Sequence, residues 1–146
     1  MSRRRYDLVT DVKLPPVEFT TTVRALIEVR SQGLCEACGV GGSLQVHHRL
    51  YKSRLGRGNA ANGLHLCGLG GASGCHGRAH SGHLGETTGW AIRTGGDPLL
   101  VPYFRTHTRS WFRLDDDGGS VPMKAVDAVE YMVLIGAVRS GAGWAY

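Results

Sequence analysis

At 146 residues, the chain is long enough for one ordinary domain and too short for two, so any site that it carries must draw on most of its length. A hydrophobic fraction of 42% with 22 glycines excludes a disordered chain and favours a loop-rich globular protein. The formal net charge of +5 favours nucleic acid as a partner ahead of a membrane. The longest apolar run, "YMVLIGAV", is far shorter than a membrane-spanning helix, and no apolar segment follows the basic N-terminus, so we expect a cytoplasmic protein.

The first half of the chain predicts one helix and two short strands. Residues 1–16 are basic and then punctuated by proline, which indicates an arm with little structure of its own. Apolar residues at helical spacing predict a helix over about residues 20–32, with a threonine as N-cap and Gly33 at its end. Short strands are expected at about 43–47 and at 63–67, with a loop between them.

The second half predicts a further helix, three strands and a closing helix. On the helix after the second strand, His76, His80 and His83 would share one face. The segments "TGWAIRTG", "LLVPYFRT" and "SWFRLDDDGG" are rich in aromatic and β-branched residues and predict strands, of which the second is an edge strand because of Pro102. The closing helix would begin at Ser120 as N-cap, with Pro122 in its first turn.

Four cysteines form two pairs about thirty residues apart, Cys35 with Cys38 and Cys67 with Cys75. In a reducing compartment, cysteines in such a pattern are metal ligands more often than disulfides. Four thiolates would make a closed structural zinc site that ties the helix, the strands and the loop together. The second pair has seven residues between its cysteines where a common zinc knuckle has two, and His65 or His76 is an alternative ligand for one position.

Six of the seven histidines lie between residues 47 and 83. His47 and His48 are adjacent in a strand, so their side chains point to opposite faces, and one can bind a metal while the other faces a substrate. Neutral imidazole serves both as a general base and as a metal ligand. A metal-dependent phosphodiester hydrolase needs both functions, a base for water and an ion that stabilises charge on the phosphate.

The segment from Ala37 to Gly85 contains no Asp or Glu. A region that excludes carboxylates and collects cationic side chains is suited to contacting the phosphates of nucleic acid. Its basic residues, all predicted to contact DNA phosphates, are Arg49, Lys52, Arg54, Arg57 and Arg78.

The motifs "CEAC", "VHHR", "NGLHLC" and "GCHGRAH", in this order, resemble the zinc-containing branch of the HNH endonuclease family over about residues 35–80. The resemblance implies a ββα-metal core and hydrolysis of DNA to 5′-phosphate and 3′-hydroxyl ends. It assigns His48 as the general base, His47 and His76 as ligands of a catalytic divalent ion, and Asn62 as the asparagine of the motif. The structural zinc ligands of the family correspond to Cys35, Cys38, Cys67 and Cys75.

Some of these assignments have alternatives. His80 is an alternative to His76 as metal ligand, because the insertion before Cys75 lengthens the approach to the helix. Asn59 is an alternative to Asn62, which stands directly before the second strand. His47 occupies a position that many members of the family fill with Asp, so the catalytic metal can be Mn, Ni or Zn as well as Mg.

We therefore expect a single α+β domain, with a flexible arm over 1–16, a zinc-stabilised ββα-metal nuclease core over 17–83, and a C-terminal β-element and helix over 84–146. Two other functions remain open. One is a non-catalytic zinc module that binds nucleic acid, and the other is an accessory subunit of a phage DNA-processing or packaging complex, in the cytoplasm of the host cell.

The remaining polar features have simpler interpretations. His83 and His107 are expected to be surface residues, and His65 either packs in the core or faces substrate. The acidic run at 115–117 precedes two glycines and indicates a solvated turn. The arginines at positions 3–5 are candidates for an arm that binds phosphate.

Overall fold

The computed structural model describes residues 13–70 and 72–140, and within them the fold is mixed α+β with two small antiparallel sheets. The arginines at positions 3–5 lie outside the described residues. In chain order the elements are α1 (Thr21–Ser31), β1 (Leu44–His48), β2 (Gly63–Cys67), α2 (Gly74–Ala79), α3 (His83–Thr87), β3 (Tyr103–Arg105), β4 (Ser110–Leu114), β5 (Ser120–Met123) and α4 (Ala125–Leu134). None of the helices within the described ranges has the length and apolar character needed to cross a bilayer.

The first helix lies where the sequence predicts it. The Thr20 side chain accepts a hydrogen bond from the backbone N–H of Val23 at 3.2 Å, which satisfies one of the free donors at the start of α1. At the other end, Gln32 takes a left-handed conformation with φ of 55° and ends the helix one residue before Gly33. Ile27 is fully buried against Phe19, so the apolar face of α1 packs on the chain that precedes it.

Strands β1 and β2 form the first sheet, and both lie within one residue of their predicted positions. They pair antiparallel, with His47 opposite Leu64 and His48 opposite Gly63. The loop between them contains two short 3-10 turns, Lys52–Arg54 and Ala60–Asn62. Helix α2 follows β2 after the loop between Cys67 and Cys75, so two strands and a helix are consecutive in the chain.

The prediction of one helix that carries three histidines on one face is wrong, because the helix is shorter than expected. It is two helices, α2 and α3, separated at Gly82, whose φ is 54°. Glycine adopts this left-handed conformation at little cost, so the chain turns there instead of continuing the helix. His83 therefore begins a separate helix and does not share a face with His76 and His80.

The strand predicted in "TGWAIRTG" is absent. These residues form turns with a single bridge between Leu50 and Ile92. Trp90 and Ile92 are nevertheless buried. Their apolar character reflects burial in the core and not pairing in a sheet. Short apolar segments do not by themselves distinguish a strand from another kind of buried segment.

Strands β3, β4 and β5 form the second sheet in that order. Pro102 directly precedes β3, which is an edge strand as predicted. The expected N-cap role of Ser120 is wrong, because Ser120 begins β5 and pairs with Leu114 across the acidic turn. The closing helix begins only at Ala125, and Pro122 occupies the second edge strand instead of a helical turn.

One hydrophobic cluster joins the two sheets. It contains Leu64 and Leu66 of β2 together with Trp90, Tyr103 and Leu114, all of them almost fully buried. Cys35 and Cys75 are buried members of the same cluster, and Cys38 and Cys67 pack against it. The C-terminal β-element is thus packed against the segment that carries the cysteines and histidines.

Candidate metal centres

The four cysteines come together in one group, as the sequence predicts. Their sulfur atoms all lie within 4.8 Å of one another, and the distance between the sulfur atoms of Cys38 and Cys67 is 3.7 Å. Four thiolates around a tetrahedral Zn²⁺, each about 2.3 Å from the metal, have sulfur atoms about 3.8 Å apart. The geometry and the donor set both fit a structural zinc ion, and neither His65 nor His76 belongs to this group.

The pKa values of the cysteines show how closely the thiols interact. The hydrogen bond from the Cys75 thiol, the largest cause, lowers the pKa of Cys35 to about 4, and the same contact raises the pKa of Cys75. The Cys75 thiol thus keeps its proton and donates it towards the sulfur of Cys35. A metal ion would displace this proton, since the thiolate is the form that binds metal.

The seven-residue loop between Cys67 and Cys75 does not prevent the second pair from meeting the first. Gly68 and Gly74 both have positive φ, and the loop closes so tightly that a Cβ at Gly68 would lie 1.9 Å from the carbonyl oxygen of Ser73. Only glycine permits this close approach. The backbone N–H of Cys75 consequently lies 3.5 Å from the sulfur of Cys67.

The first cysteine pair is held on the edge of β2 by an acidic residue that the sequence analysis did not single out. Glu36 is buried, its backbone N–H donates to the carbonyl of His65, and its carboxylate accepts from the backbone N–H of His65 at 2.9 Å. The carboxylate also forms a two-point ion pair with Arg30, with distances of 2.7 and 2.8 Å. Such bidentate pairs have defined geometry, so this pair fixes the cysteine turn relative to α1.

Three histidines form a second group close to the first sheet. His47, His76 and His80 each offer one nitrogen, and these nitrogens lie within 4.8 Å of one another. The three ring centroids are 4.9 to 5.1 Å apart. His76 and His80 are four residues apart, so both side chains reach the same side of α2 and both lie beside His47.

A backbone carbonyl determines the tautomer of His47. Its Nε2 lies 2.7 Å from the carbonyl oxygen of Trp90, and because a carbonyl only accepts, Nε2 must carry the proton. Nδ1 is then left with a free lone pair for a metal, an arrangement typical of metal-binding histidines. Burial, the largest cause, lowers the pKa of His47 to about 3, so the ring is neutral at physiological pH.

Tyr51 packs beside the histidine group. Its ring stacks on that of His80 with centroids 5.0 Å apart, and its hydroxyl donates to the carbonyl of Ala79 at 2.9 Å. These contacts hold His80, which is otherwise exposed, against the end of α2. Nothing in the spacing of the sequence distinguishes Tyr51 from an ordinary aromatic residue of a loop.

His48 does not belong to the three-histidine group but lines the same cleft. The cleft has a volume of about 270 Å³ and includes His47, His48, Tyr51, Lys52 and His80 in its lining. Nε2 of His48 donates to the carbonyl of Val17 at 2.8 Å, which leaves Nδ1 with a free lone pair. Its ring packs on Phe19 with centroids 4.2 Å apart, and burial lowers its pKa.

The carbonyl that orients His48 belongs to the chain immediately before α1. This entry segment, residues 16–19, is fastened at Pro16, whose carbonyl accepts from the backbone N–H of Gly58 at 2.7 Å. Glu18 adds an exposed ion pair with Lys52. The predicted flexible arm over 1–16 is therefore ordered at its last residue, where it meets the loop between β1 and β2.

Asn62 is fully buried and organises that loop. Its Oδ1 accepts from the backbone N–H of Leu50 at 2.7 Å, and its Nδ2 donates to the carbonyls of Leu50 and Arg57 at 3.1 and 2.8 Å. The hydrogen bonds of this side chain reach the backbone of the loop and do not reach His48. The alternative asparagine, Asn59, instead donates to the carboxylate of Asp116 at 2.9 Å.

The predicted phosphate contact of Arg49 is wrong. Its side chain has no exposed surface, and its guanidinium donates only to buried or half-buried backbone carbonyls. The acceptors are the carbonyls of Gly89, Ala61, Pro98, Val101 and Pro102. Arg49 thus connects the loop after β1 to the segment before β3 and cannot reach a phosphate.

The other predicted phosphate contacts are at or near the surface. Lys52 and Arg78 are exposed, and Arg57 is half-buried with no side-chain hydrogen bond to another described residue. Arg54 lies over the ring of Tyr51 at 4.5 Å and donates to the carbonyl of Ile92. Arg54 is therefore partly committed to holding the loop.

Several residues lie apart from both groups. Nδ1 of His65 is 2.8 Å from the hydroxyl of Ser31, which places His65 against α1, and His83 is exposed. His107 is 3.5 Å from the carbonyl of Ala37, beside the cysteine turn. The acidic run forms the expected turn, although Asp116 also accepts from the backbone N–H of Ala61 at 3.1 Å and so caps a 3-10 turn.

Within residues 13–70 and 72–140, two groups of side chains could hold a metal ion, one of four thiols and one of three imidazoles. No family model matches the sequence, and neither the curated proteins nor the solved structures include a significant match. What the protein does must therefore be argued from the two centres themselves.

Proposed function

We propose that this chain is a metal-dependent endonuclease of the HNH type, which hydrolyses phosphodiester bonds of DNA. The observation that carries the proposal is the cleft in which a three-imidazole group and a fourth histidine, His48, lie side by side with different hydrogen-bond partners. A zinc module that only binds nucleic acid has no need for this arrangement. The order of β1, β2 and α2 also agrees with a ββα-metal core.

In this proposal, His48 is the general base. Its Nε2 proton is engaged by the carbonyl of Val17, so only Nδ1 is available to accept a proton from water. The oxygen of that water attacks the phosphorus while the bond to the 3′ oxygen breaks. The departing 3′ oxygen takes a proton from solvent, which leaves a 5′-phosphate and a 3′-hydroxyl. Packing on Phe19 and the hydrogen bond to Val17 together hold the ring in one orientation before substrate arrives.

His47, His76 and His80 would hold the divalent ion, which when bound stabilises negative charge on the phosphate and on the departing oxygen. Imidazole nitrogens favour Mn, Ni or Zn over Mg. Glu18, beside the cleft, is paired with Lys52, and the three ligands supply no negative charge that would repel a phosphate. This fits the absence of Asp and Glu between residues 37 and 85.

Exposed cations beside the cleft would contact the DNA backbone. Lys52 lines the cleft directly, and Arg57 and Arg78 are on the loop and the helix that adjoin it. Contacts of this kind set position and salt dependence and carry little sequence information. The four-cysteine centre would hold a structural zinc ion that keeps α2, and hence His76, in place.

The test is nicking of supercoiled plasmid with Mg, Mn, Ni or Zn, using zinc-loaded protein. His48→Ala should lower the rate at least about 100-fold, the usual contribution of a general base. His83→Ala is a matched control, since His83 is exposed and lies outside the histidine group. Nicking that persists in His48→Ala would disprove the assignment of the base, and DNA binding without nicking under any of the four metals would favour a non-catalytic zinc module.

A further inference from the structure

Gln45 makes contacts that a typical exposed strand residue lacks. It lies on β1 two residues before His47, and its Oε1 accepts a hydrogen bond from the backbone N–H of Gly70 at 2.7 Å. The same oxygen is 2.9 Å from Nδ1 of His76. A single amide oxygen thus contacts both the loop between Cys67 and Cys75 and a member of the histidine group.

The Gly70 contact identifies the atom that faces His76. A backbone N–H only donates, so the Gln45 atom next to it must be the oxygen and not the amide nitrogen. That oxygen can only accept, and Nδ1 of His76 must therefore carry the proton. Nε2 is then the only nitrogen of the His76 ring with a free lone pair.

Among the contacts that His76 makes with described residues, no other one fixes this tautomer. Its ring neighbours, His47 and His80, make ring contacts with it, and the other side borders an open cavity of about 500 Å³ that Arg24, Glu28 and His65 also line. Without the amide oxygen, Nδ1 would face water in this cavity. The ring would then be free to rotate and to take the Nε2–H tautomer, which is the favoured form of a free histidine side chain in water.

We propose that Gln45 is a positioning residue, which holds His76 as its Nδ1–H tautomer and couples the seven-residue loop between Cys67 and Cys75 to the three-histidine centre. The inference rests on the proposed function only in that it takes this centre to bind a divalent metal. His47 has the equivalent partner in the carbonyl of Trp90. Each of these two imidazoles would then present one defined nitrogen, because the other is held by an acceptor.

The loop between Cys67 and Cys75 acquires a role from this contact. The closed loop at Gly68 and Gly74 brings Gly70 to the side of β1, where it fixes the Gln45 oxygen next to His76. A two-residue knuckle would leave no loop long enough to supply this donor. The additional residues thus serve the histidine centre as well as the cysteine centre.

The first test reads the tautomer directly in the zinc-loaded protein with no ion added to the histidine centre. Two-bond ¹⁵N–¹H correlation spectra should show the Nδ1–H form of His76. Gln45→Glu is nearly isosteric and keeps an acceptor oxygen for both donors, so it should retain that form. Gln45→Met has similar length but no acceptor of this kind, and it should shift His76 to the Nε2–H form.

The second test is the affinity of the histidine centre for Ni²⁺, measured by calorimetry on the same proteins. Gln45→Met should weaken Ni²⁺ binding about tenfold, which is the lower end of the usual effect of losing a hydrogen-bond partner of a metal-binding histidine. The Ni²⁺ affinity of Gln45→Glu should stay within about threefold of that of the parent protein. One zinc per chain in both variants, by metal analysis, would show that the cysteine centre is intact.

An Nε2–H form of His76 in the parent protein, or Ni²⁺ affinity unchanged in Gln45→Met, would overturn the inference. Loss of Ni²⁺ affinity equal in Gln45→Glu and Gln45→Met would also overturn it, because that result indicates a packing effect. If the parent protein fails to nick DNA but the tautomer and affinity results hold, the inference about Gln45 is supported and only the proposed nuclease function fails.

Discussion

Single residues in this chain have roles that depend on which neighbour holds their polar atoms. His47 and His48 are adjacent and chemically identical, but they donate to different backbone carbonyls. Nε2 of His47 donates to Trp90, and Nε2 of His48 donates to Val17. Arg49 follows them and is buried, in contrast to the exposed Lys52 three residues later. Burial lowers the pKa of Arg49 to about 9, which still leaves it charged at neutral pH and in need of its carbonyl partners.

Arg49→Met should lower the free energy of unfolding by about 3 kcal/mol, because several buried carbonyls would lose their donor. Urea denaturation of the zinc-loaded protein measures this loss. Arg113→Met, which changes an exposed arginine of β4, should stay within about 0.5 kcal/mol of the parent protein. If Arg49→Met were as stable as the parent protein but bound DNA more weakly, Arg49 would be a phosphate contact after all.

At the scale of elements, the candidate site is assembled where separate segments contact the loop between β1 and β2. The entry segment contacts this loop at Gly58 and the end of β1 at His48. Asp116 of the acidic turn caps the second 3-10 turn of the loop. Asn62 closes the loop from within. None of these contacts follows from helical or strand periodicity, since each joins an irregular segment to another through backbone groups.

Gly58→Ala tests whether the entry segment positions His48. A Cβ at Gly58 would lie 2.3 Å from the carbonyl oxygen of Glu18, so the segment would have to move and the hydrogen bond from His48 to Val17 would be disturbed. We expect plasmid nicking to fall about tenfold or more, as misplaced catalytic groups do, with the zinc content unchanged.

Gly41→Ala is the control for Gly58→Ala. The atom nearest to a Cβ at Gly41 would be a methyl carbon of Leu34 at 3.8 Å, an ordinary van der Waals distance. Its nicking rate should equal that of the parent protein. Equal rates in both variants would show that the entry segment does not determine the orientation of His48.

The hydrophobic core of the described residues is modest, and the four cysteines are part of it or pack against it. Cys35 and Cys75 are buried in the cluster that joins the two sheets. A chain with this many glycines and short strands gains comparatively little from regular secondary structure. A zinc ion at the four thiols would therefore contribute a large part of the folding free energy.

We expect metal analysis to find one tightly bound zinc per chain, which is lost in Cys35→Ser. Removal of zinc by a strong chelator should abolish the cooperative thermal transition, because the α1–β1 turn and the loop before α2 lose their common anchor. Circular dichroism during heating measures this. A folded, cooperatively melting protein without zinc would contradict the structural role of the cysteines.

Much of this molecule was predictable from the sequence, for definite physical reasons. Helix α1 and strands β1 and β2 follow from apolar periodicity, and the cysteine group follows from residue type and order along the chain. The segment "TGWAIRTG" was misassigned because burial and strand pairing select the same apolar residues. Ser120 was wrongly predicted to be a helix N-cap, because the pairing of β4 with β5 across the acidic turn outweighs the local preference of serine for capping.

By itself the sequence determined which residues are able to bind metal or phosphate, because residue type alone specifies where thiol, imidazole and guanidinium groups occur along the chain. Only the tertiary structure decided how each one is used. It placed His80 with His47 and His76, it buried Arg49, and it set the carbonyl of Val17 and the amide of Gln45 against two imidazoles. Tautomer and burial depend on contacts between residues distant in the chain, and no local pattern encodes them.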